Sequence, residues 1–267
     1  MRWRISRLVR IIAVVSAFVT GLVLVLGGPA LAITNGQPDG DNHPYVCCVV
    51  VFDEDWNFVG SGSGTLIAPA IVLTAGHVAD SGPNVFVTFA TDLTQAVFPD
   101  DYIYGAPYPH PQYRLGGRGL PQFITHDVGV IVLAGEAPVT EYGALPEQDF
   151  VDSLAVMTGL DIVGYGVNYR DRPSQEWIFF NARYYAPCQL IASEHIQSDE
   201  FIKMTANPAQ GKGGTSFGDS GGPVFLGGTN IVLGVTSYGT NYNSAGVEYA
   251  ARVDTVDVLP WITSWLP

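Results

Sequence analysis

An all-β architecture of short antiparallel strands is the fold class this 267-residue chain predicts. Alternating or continuous apolar runs recur along the chain, and 31 Gly and 18 Pro supply the turns between them. Helical periodicity emerges only at the C-terminal end. With 47 % apolar residues and neither low-complexity tracts nor long charge runs, the chain can bury a core as one large unit or two small ones.

Arg2, Arg4, Arg7 and Arg10 form a basic start, residues 11–26 are apolar and uncharged, and Gly27-Gly28-Pro29 breaks the run before Ala30-Leu31-Ala32. This is the layout of a secretory signal peptide with a small-x-small cleavage site. Sixteen apolar residues fall short of the about 20 that a membrane span needs, so cleavage after Ala32 and export are expected rather than a retained anchor. Strands are then expected over residues 45–52, 64–74, 84–89 and 128–133, and again over 161–164, 176–185, 201–204, 223–226, 231–237 and 247–253. Near the end, Leu259, Ile262 and Leu266 share a helical face behind Asp257. Short strands with turns between them fit a barrel or a sandwich.

Removal of residues 1–32 takes away four Arg and no acid, leaving 8 basic against 25 acidic residues and a formal charge of −17. Such a surface disfavours nucleic acid and anionic membrane as partners. Cys47, Cys48 and Cys188 are too few for a disulfide scaffold and wrongly spaced for zinc. Cys47 and Cys48 are neighbours on a strand and point to opposite faces, so either one of them pairs with Cys188 after export or all three are small buried apolar residues. Asp100 and Asp101 form a small acidic cluster better read as a solvated turn than as a calcium site. No metal, nucleotide or cofactor motif is present.

The chemistry lies in Gly218-Asp219-Ser220-Gly221-Gly222-Pro223 and, far upstream, Thr74-Ala75-Gly76-His77. A serine among glycines lets a backbone turn aim a hydroxyl and neighbouring N–H groups at one carbonyl. A histidine can take the hydroxyl proton, and a buried carboxylate can hold that ring in the right tautomer. Asp127, heading the apolar run 128–133, is the carboxylate candidate. In α/β-hydrolases the histidine follows the nucleophile, but the last histidine here is His195, which excludes that arrangement.

The order His77, Asp127, Ser220 resembles the chymotrypsin/trypsin-like serine proteases. The resemblance extends to Ser63-Gly64-Thr65-Leu66-Ile67 before the histidine, to Tyr108-Pro109-His110-Pro111-Gln112-Tyr113 as a connecting loop, and to Ser237-Tyr238-Gly239 as the strand that pairs with substrate backbone. It implies two six-stranded antiparallel β-barrels and a short C-terminal helix over residues 33–267. Barrel one falls at about 45–140, barrel two at about 155–255 and the helix at about 257–266. It further implies a secreted endopeptidase with a polypeptide substrate, an oxyanion hole at the Gly218 and Ser220 N–H groups, and a protein inhibitor as a further partner. The disulfide that flanks the catalytic histidine in exported relatives is absent, since Gly62 and Val78 occupy its places. A binding module on the same fold and an esterase are the alternatives.

In relatives Asp219 pairs with an amino terminus freed by cleavage. Ile33-Thr34-Asn35-Gly36 directly follows the leader, so one cut is expected both to export and to activate. Relatives that cut after Lys or Arg carry an aspartate where this chain has Gly214. Gly239 leaves a pocket wall open, and alternation counted from Tyr249 turns Val247 toward the pocket and Glu248 away, which suits small or medium apolar side chains. The segment 246–253 is one residue longer than usual, and a slip of one residue would aim Glu248 inward and favour a basic side chain instead.

Overall fold

A computed structural model describes residues 33–117, 120–166, 169–170, 177–178, 181–192, 199–240 and 246–267. The expected leader, residues 1–32, and parts of the strand expected over 176–185 lie outside the described residues.

The strands, in chain order, are β1 (Gln37–Pro38), β2 (Val46–Phe52), β3 (Phe58–Ala68), β4 (Ile71–Thr74), β5 (Asn84–Thr88), β6 (Ile103–Pro109), β7 (Arg114–Gly117), β8 (Leu120–Thr125) and β9 (Gly129–Leu133). They continue as β10 (Gly159–Gly164), β11 (Tyr169–Arg170), β12 (Trp177–Ile178), β13 (Tyr184–Ala192), β14 (Phe201–Ala206), β15 (Pro223–Leu226), β16 (Val232–Gly239) and β17 (Gly246–Arg252). The helices are α1 (Gly76–Ala79) and α2 (Val258–Thr263).

Two closed antiparallel barrels result, as the family resemblance implied. The first runs β2-β3-β4-β9-β6-β5. The second runs β13-β10-β15-β16-β17-β14 and closes through β13–β14, with β1 added beside β13. Closure removes the free edges that a small sheet would otherwise expose. On the strands of barrel one, Val46, Val49, Leu66, Leu73, Val85, Val87, Val130 and Ile131 are fully buried. β-branched residues dominate because they pack well on a pleated surface. Barrel two buries Leu160, Ile162, Leu190, Ile202, Val224 and Leu233, with Ile33 packed among them.

Three features depart from expectation. The run 64–74 is two strands, turning at Pro69-Ala70. β6, including Tyr108 and Pro109, is a ladder strand between β5 and β9 rather than part of a loop. In α2 the buried pair is Val258 and Ile262, one turn apart, rather than Leu259 and Ile262. All three cysteines are free and buried, which removes the bridged alternative; Cys188 Sγ lies 3.9 Å from Met204 Sδ in the second core. Burial raises all three thiols, Cys48 to about 12, as befits inert core residues.

Candidate active site

β4 delivers the chain to the site. Thr74 Oγ1 donates to the Ser63 carbonyl at 2.8 Å, extended Ala75 turns the backbone, and His77 follows on the single turn of α1. Asp127 stands just before β9, on a loop where His126 takes the left-handed region at φ 49°. Asp127 is wholly buried and fully engaged: Oδ1 accepts from the His77 backbone N–H at 2.8 Å, and His77 Nδ1 lies 2.9 Å from Oδ2. Ser237 donates its hydroxyl to the same Oδ2. Burial works against the charge of this carboxylate, but the bonds from His77 and Ser237 outweigh it and its pKa is lowered. Asp127 therefore stays anionic at neutral pH, and a ring with Nδ1 donating to it presents Nε2 outward.

Ser220 sits in a turn that only glycine neighbours permit. Gly218 has φ +96°, and a Cβ there would lie 2.9 Å from Gly166 Cα; Gly221 has φ +79°, and a Cβ there would strike the Thr74 hydroxyl. Both barrels hold this turn. Ser63 N–H donates to the Ser220 carbonyl at 2.8 Å, Ser63 Oγ donates to the Gly218 carbonyl at 2.9 Å, and Gly221 N–H donates to the Thr236 carbonyl at 2.8 Å. Among the described residues the Gly218 and Ser220 N–H groups have no acceptor in the protein, so two donors flank the Ser220 hydroxyl.

His77 and Ser220 line one cleft of about 900 Å³ with Thr215, Ser216, Phe217, Gly218 and Ser237–Gly239. No hydrogen bond joins Ser220 Oγ to the His77 ring. Such bonds are often long in a site without substrate and tighten in the complex.

The remaining residues fall as follows. Ser237, Tyr238 and Gly239 line the cleft, whereas Gly214 is buried, its backbone paired with Thr34. Val247 does not face the cleft. Val247, Tyr249 and Ala251 pack on one face of β17, with Tyr249 stacked on Tyr238 at 4.7 Å. Glu248 lies on the opposite face, buried, and its Oε2 accepts from the N–H and hydroxyl of cleft-lining Thr215 at 2.6 and 2.7 Å. Oε1 is buried with no partner among the described residues, and desolvation raises the carboxyl to about 7 despite the Thr215 bonds. Neither Val247 nor Glu248 lines the cleft directly; Glu248 meets it through Thr215.

Asp219 is equally buried. It accepts backbone N–H bonds from Gly166 and Ser216, both at 2.8 Å, and burial, together with nearby Glu248, raises it to about 7. Among the described residues no cationic side chain pairs with either acid. Ile33 is fully buried beside Gly213, and Thr34 exchanges backbone bonds with Gly214 at 2.8 and 3.1 Å. Ile33 itself is held at φ 46°, a region in which a β-branched residue is an outlier. Sequence reasoning missed the task of Ser63, which bolts the Gly218–Ser220 turn to barrel one. A serine in a Gly-Ser-Gly-Ser-Gly strand carries no local sign of that task.

Two antiparallel barrels with a cleft lined by His77 and Ser220 fit one class of protein. Residues 38–262 match the Trypsin family, and the chain belongs to it. Among solved structures, HL collagenase is similar at 19 % identity and TM-score 0.66, covering 83 % of this chain and 93 % of that one. GrC matches at 21 % identity and TM-score 0.66 over 86 % of this chain and 97 % of its own. Human heparin binding protein matches at 18 % identity and TM-score 0.60 over 86 % and 94 %. No helix among the described residues is long and apolar enough to cross a membrane.

Proposed function

We propose that the chain is an exported serine endopeptidase that cleaves polypeptides through an acyl-enzyme, with Ser220 as nucleophile, His77 as base and acid, and Asp127 as the group that orients His77. The observation that carries this reading is the buried Asp127, bonded to both His77 and Ser237 on the wall of the cleft that holds Ser220. A peptide carbonyl set between Ser220 Oγ and the free N–H groups of Gly218 and Ser220 is attacked as His77 Nε2 takes the hydroxyl proton. The C–O bond forms and the carbonyl oxygen becomes an anion held by the two N–H groups; the carbonyl then re-forms as the C–N bond breaks and His77 gives the proton to the leaving amine. Water then repeats the sequence on the acyl-enzyme. Asp127 keeps its charge throughout and stabilises the imidazolium. Each N–H donor is worth about 3–4 kcal/mol at the transition state.

Activation follows from Ile33. A free amino group there gives the uncompensated Asp219 a partner. Cutting the preceding peptide bond also abolishes the φ constraint that a left-handed isoleucine suffers, roughly 1–2 kcal/mol. Both features support cleavage between residues 32 and 33 as one step of export and activation; terminal sequencing of active secreted protein giving any other start would end this part of the reading.

Side-chain preference follows from Glu248. Its unpartnered Oε1 behind Thr215 favours a basic side chain before the cut, in place of the small apolar one expected from Val247. A fluorogenic peptide library reads this directly.

Fluorophosphonate labelling of the wild type, lost in Ser220→Ala, is expected. Absence of labelling in correctly processed protein would favour a binding module instead, a role that the name of human heparin binding protein denotes for that relative. Ester turnover without casein turnover would favour the esterase.

A further inference from the structure

Barrel one exposes a run of large apolar side chains where a monomeric surface rarely does. Trp56 is 57 %, Phe58 64 % and Phe98 51 % exposed, and Val97 and Tyr104 are exposed beside them. Phe86 meets Trp56 at 6.3 Å, Phe98 at 5.0 Å and Tyr104 at 5.5 Å between centroids, and Phe58 joins them through Phe52 at 6.2 Å. The face gathers the β2–β3 hairpin tip, β5, the 97–101 turn and β6, so it is built by four separate segments rather than by one loop.

Two further observations say what covers it. The first is continuity with the cleft. Val51, Val59, Gly60 and Ser61 line the end of the cleft that lies on barrel one, while Tyr238, Gly239 and Thr240 line the end on barrel two. Gly62 packs against the Ser220 backbone, with 2.9 Å between the position of a Cβ and the Ser220 carbonyl. From there β3 runs back through Ser61, Gly60 and Val59 to Phe58. At about 3.3 Å per residue that is roughly 13 Å, four extended residues of a substrate laid alongside. A substrate whose acyl half pairs with Ser237–Gly239 must send its other half this way. The second observation is charge. Residues 33–113 contain nine acidic residues and no Lys or Arg. Asp53, Glu54 and Asp55 border the aromatic face at the hairpin tip, and Asp100 and Asp101 border it at the turn.

We propose that this aromatic face is a docking surface for the segment of a polypeptide substrate C-terminal to the cut, taking apolar anchors flanked by Lys or Arg; the proposal rests on the protease reading above. The face adds affinity remote from the reacting bond, so it acts on KM for long substrates and leaves short ones untouched.

The test compares two substrates with the same acyl half. One carries a small chromogenic leaving group; the other continues for eight residues with two apolar anchors and two Lys. In Trp56→Ser/Phe58→Ser, both exposed sites, KM for the long substrate is expected to rise about tenfold with kcat unchanged, while kcat/KM for the short one stays within twofold. Replacing the two Lys by Glu in the long substrate should weaken it in the wild type. An unchanged long-substrate KM in the double variant, or a preference for Glu over Lys, overturns the proposal. So does binding of neutral phosphatidylcholine vesicles that the double variant loses while the long-substrate KM is unaffected, which would assign the face to a lipid surface. To keep this apart from the protease reading, the fluorescein-labelled leaving-side peptide is titrated onto Ser220→Ala. Binding that is lost when Trp56 and Phe58 are also replaced supports the surface even if the wild type cleaves nothing, and no binding to Ser220→Ala overturns it.

Discussion

Asp219 offers the sharpest quantitative prediction, because its burial without a cation is a stability statement. Moving a carboxyl from 3.8 to about 7 corresponds to roughly 4 kcal/mol against its charged form. In a chain whose Ile33 is still peptide-bonded, the folded protein binds one proton more than the unfolded protein between those two values. Stability is then fully present below about pH 4 and is lost as pH rises through about 7. In a chain beginning at Ile33, the ammonium compensates the carboxylate, and that loss disappears until the amine itself deprotonates, above about pH 8. The perturbation is therefore a pair of proteins, one starting at Ile33 and one carrying a short uncleavable Gly-Ser extension. Urea unfolding followed by tryptophan fluorescence at several pH values from 4.5 to 7.5 gives the stability of each. The amino terminus, which differs, stays largely protonated over this range, and the remaining titrating groups are common to the pair, so their contributions cancel in the difference. The difference should widen by about 3–4 kcal/mol across that range, on top of a pH-independent 1–2 kcal/mol from relief of the left-handed Ile33. A difference that stays flat with pH to within about 1 kcal/mol would show that Asp219 does not answer to this amino group.

Three other perturbations test the site. Asp127→Asn should lower kcat about 10⁴-fold with KM little changed, since the amide stabilises the wrong His77 tautomer, as stopped-assay kinetics on a peptide amide would show. Gly218→Ala forces a side chain into φ +96° and within 2.9 Å of Gly166 Cα, so kcat should fall about 10²–10³-fold as one oxyanion donor turns away; a burst assay that shows full-rate acylation would contradict the assignment. Glu248→Gln keeps the Thr215 contacts but removes the charge. Preference for basic over apolar side chains should fall at least about tenfold, and in the wild type that preference should strengthen as pH rises through about 7, where the carboxyl ionises.

What was legible in the chain, and what was not, follows from where the controlling contacts lie. β15 and β17 were readable because each buries its own alternating or apolar pattern, a property local to four or seven residues. β6 is hidden in the sequence because proline is rare inside a sheet and Tyr108-Pro109 reads as part of a connecting loop; the structure nevertheless pairs Pro107 and Pro109 with β9, at Ile131 and Gly129. His77, Asp127 and Ser220 each carry a local signature of glycines, a strand start or a preceding Thr-Ala-Gly, so the sequence names them while saying nothing of the 2.9 Å that joins two of them. The face of β17 is different in kind. Strand alternation allows two solutions, Val247 inward or Glu248 inward, and no residue of the strand itself selects between them. The selection is made from outside, by Tyr238 stacking on Tyr249 and by the Thr215 N–H and hydroxyl reaching Glu248 across 33 positions of chain. The side chain that β17 turns toward Thr215 is thus set by contacts between distant segments, whereas His77, Asp127 and Ser220 each announce themselves locally. A single residue inserted or deleted between Gly246 and Glu248 leaves His77, Asp127 and Ser220 in place, yet the same reasoning requires it to exchange the buried acid behind Thr215 for an apolar side chain.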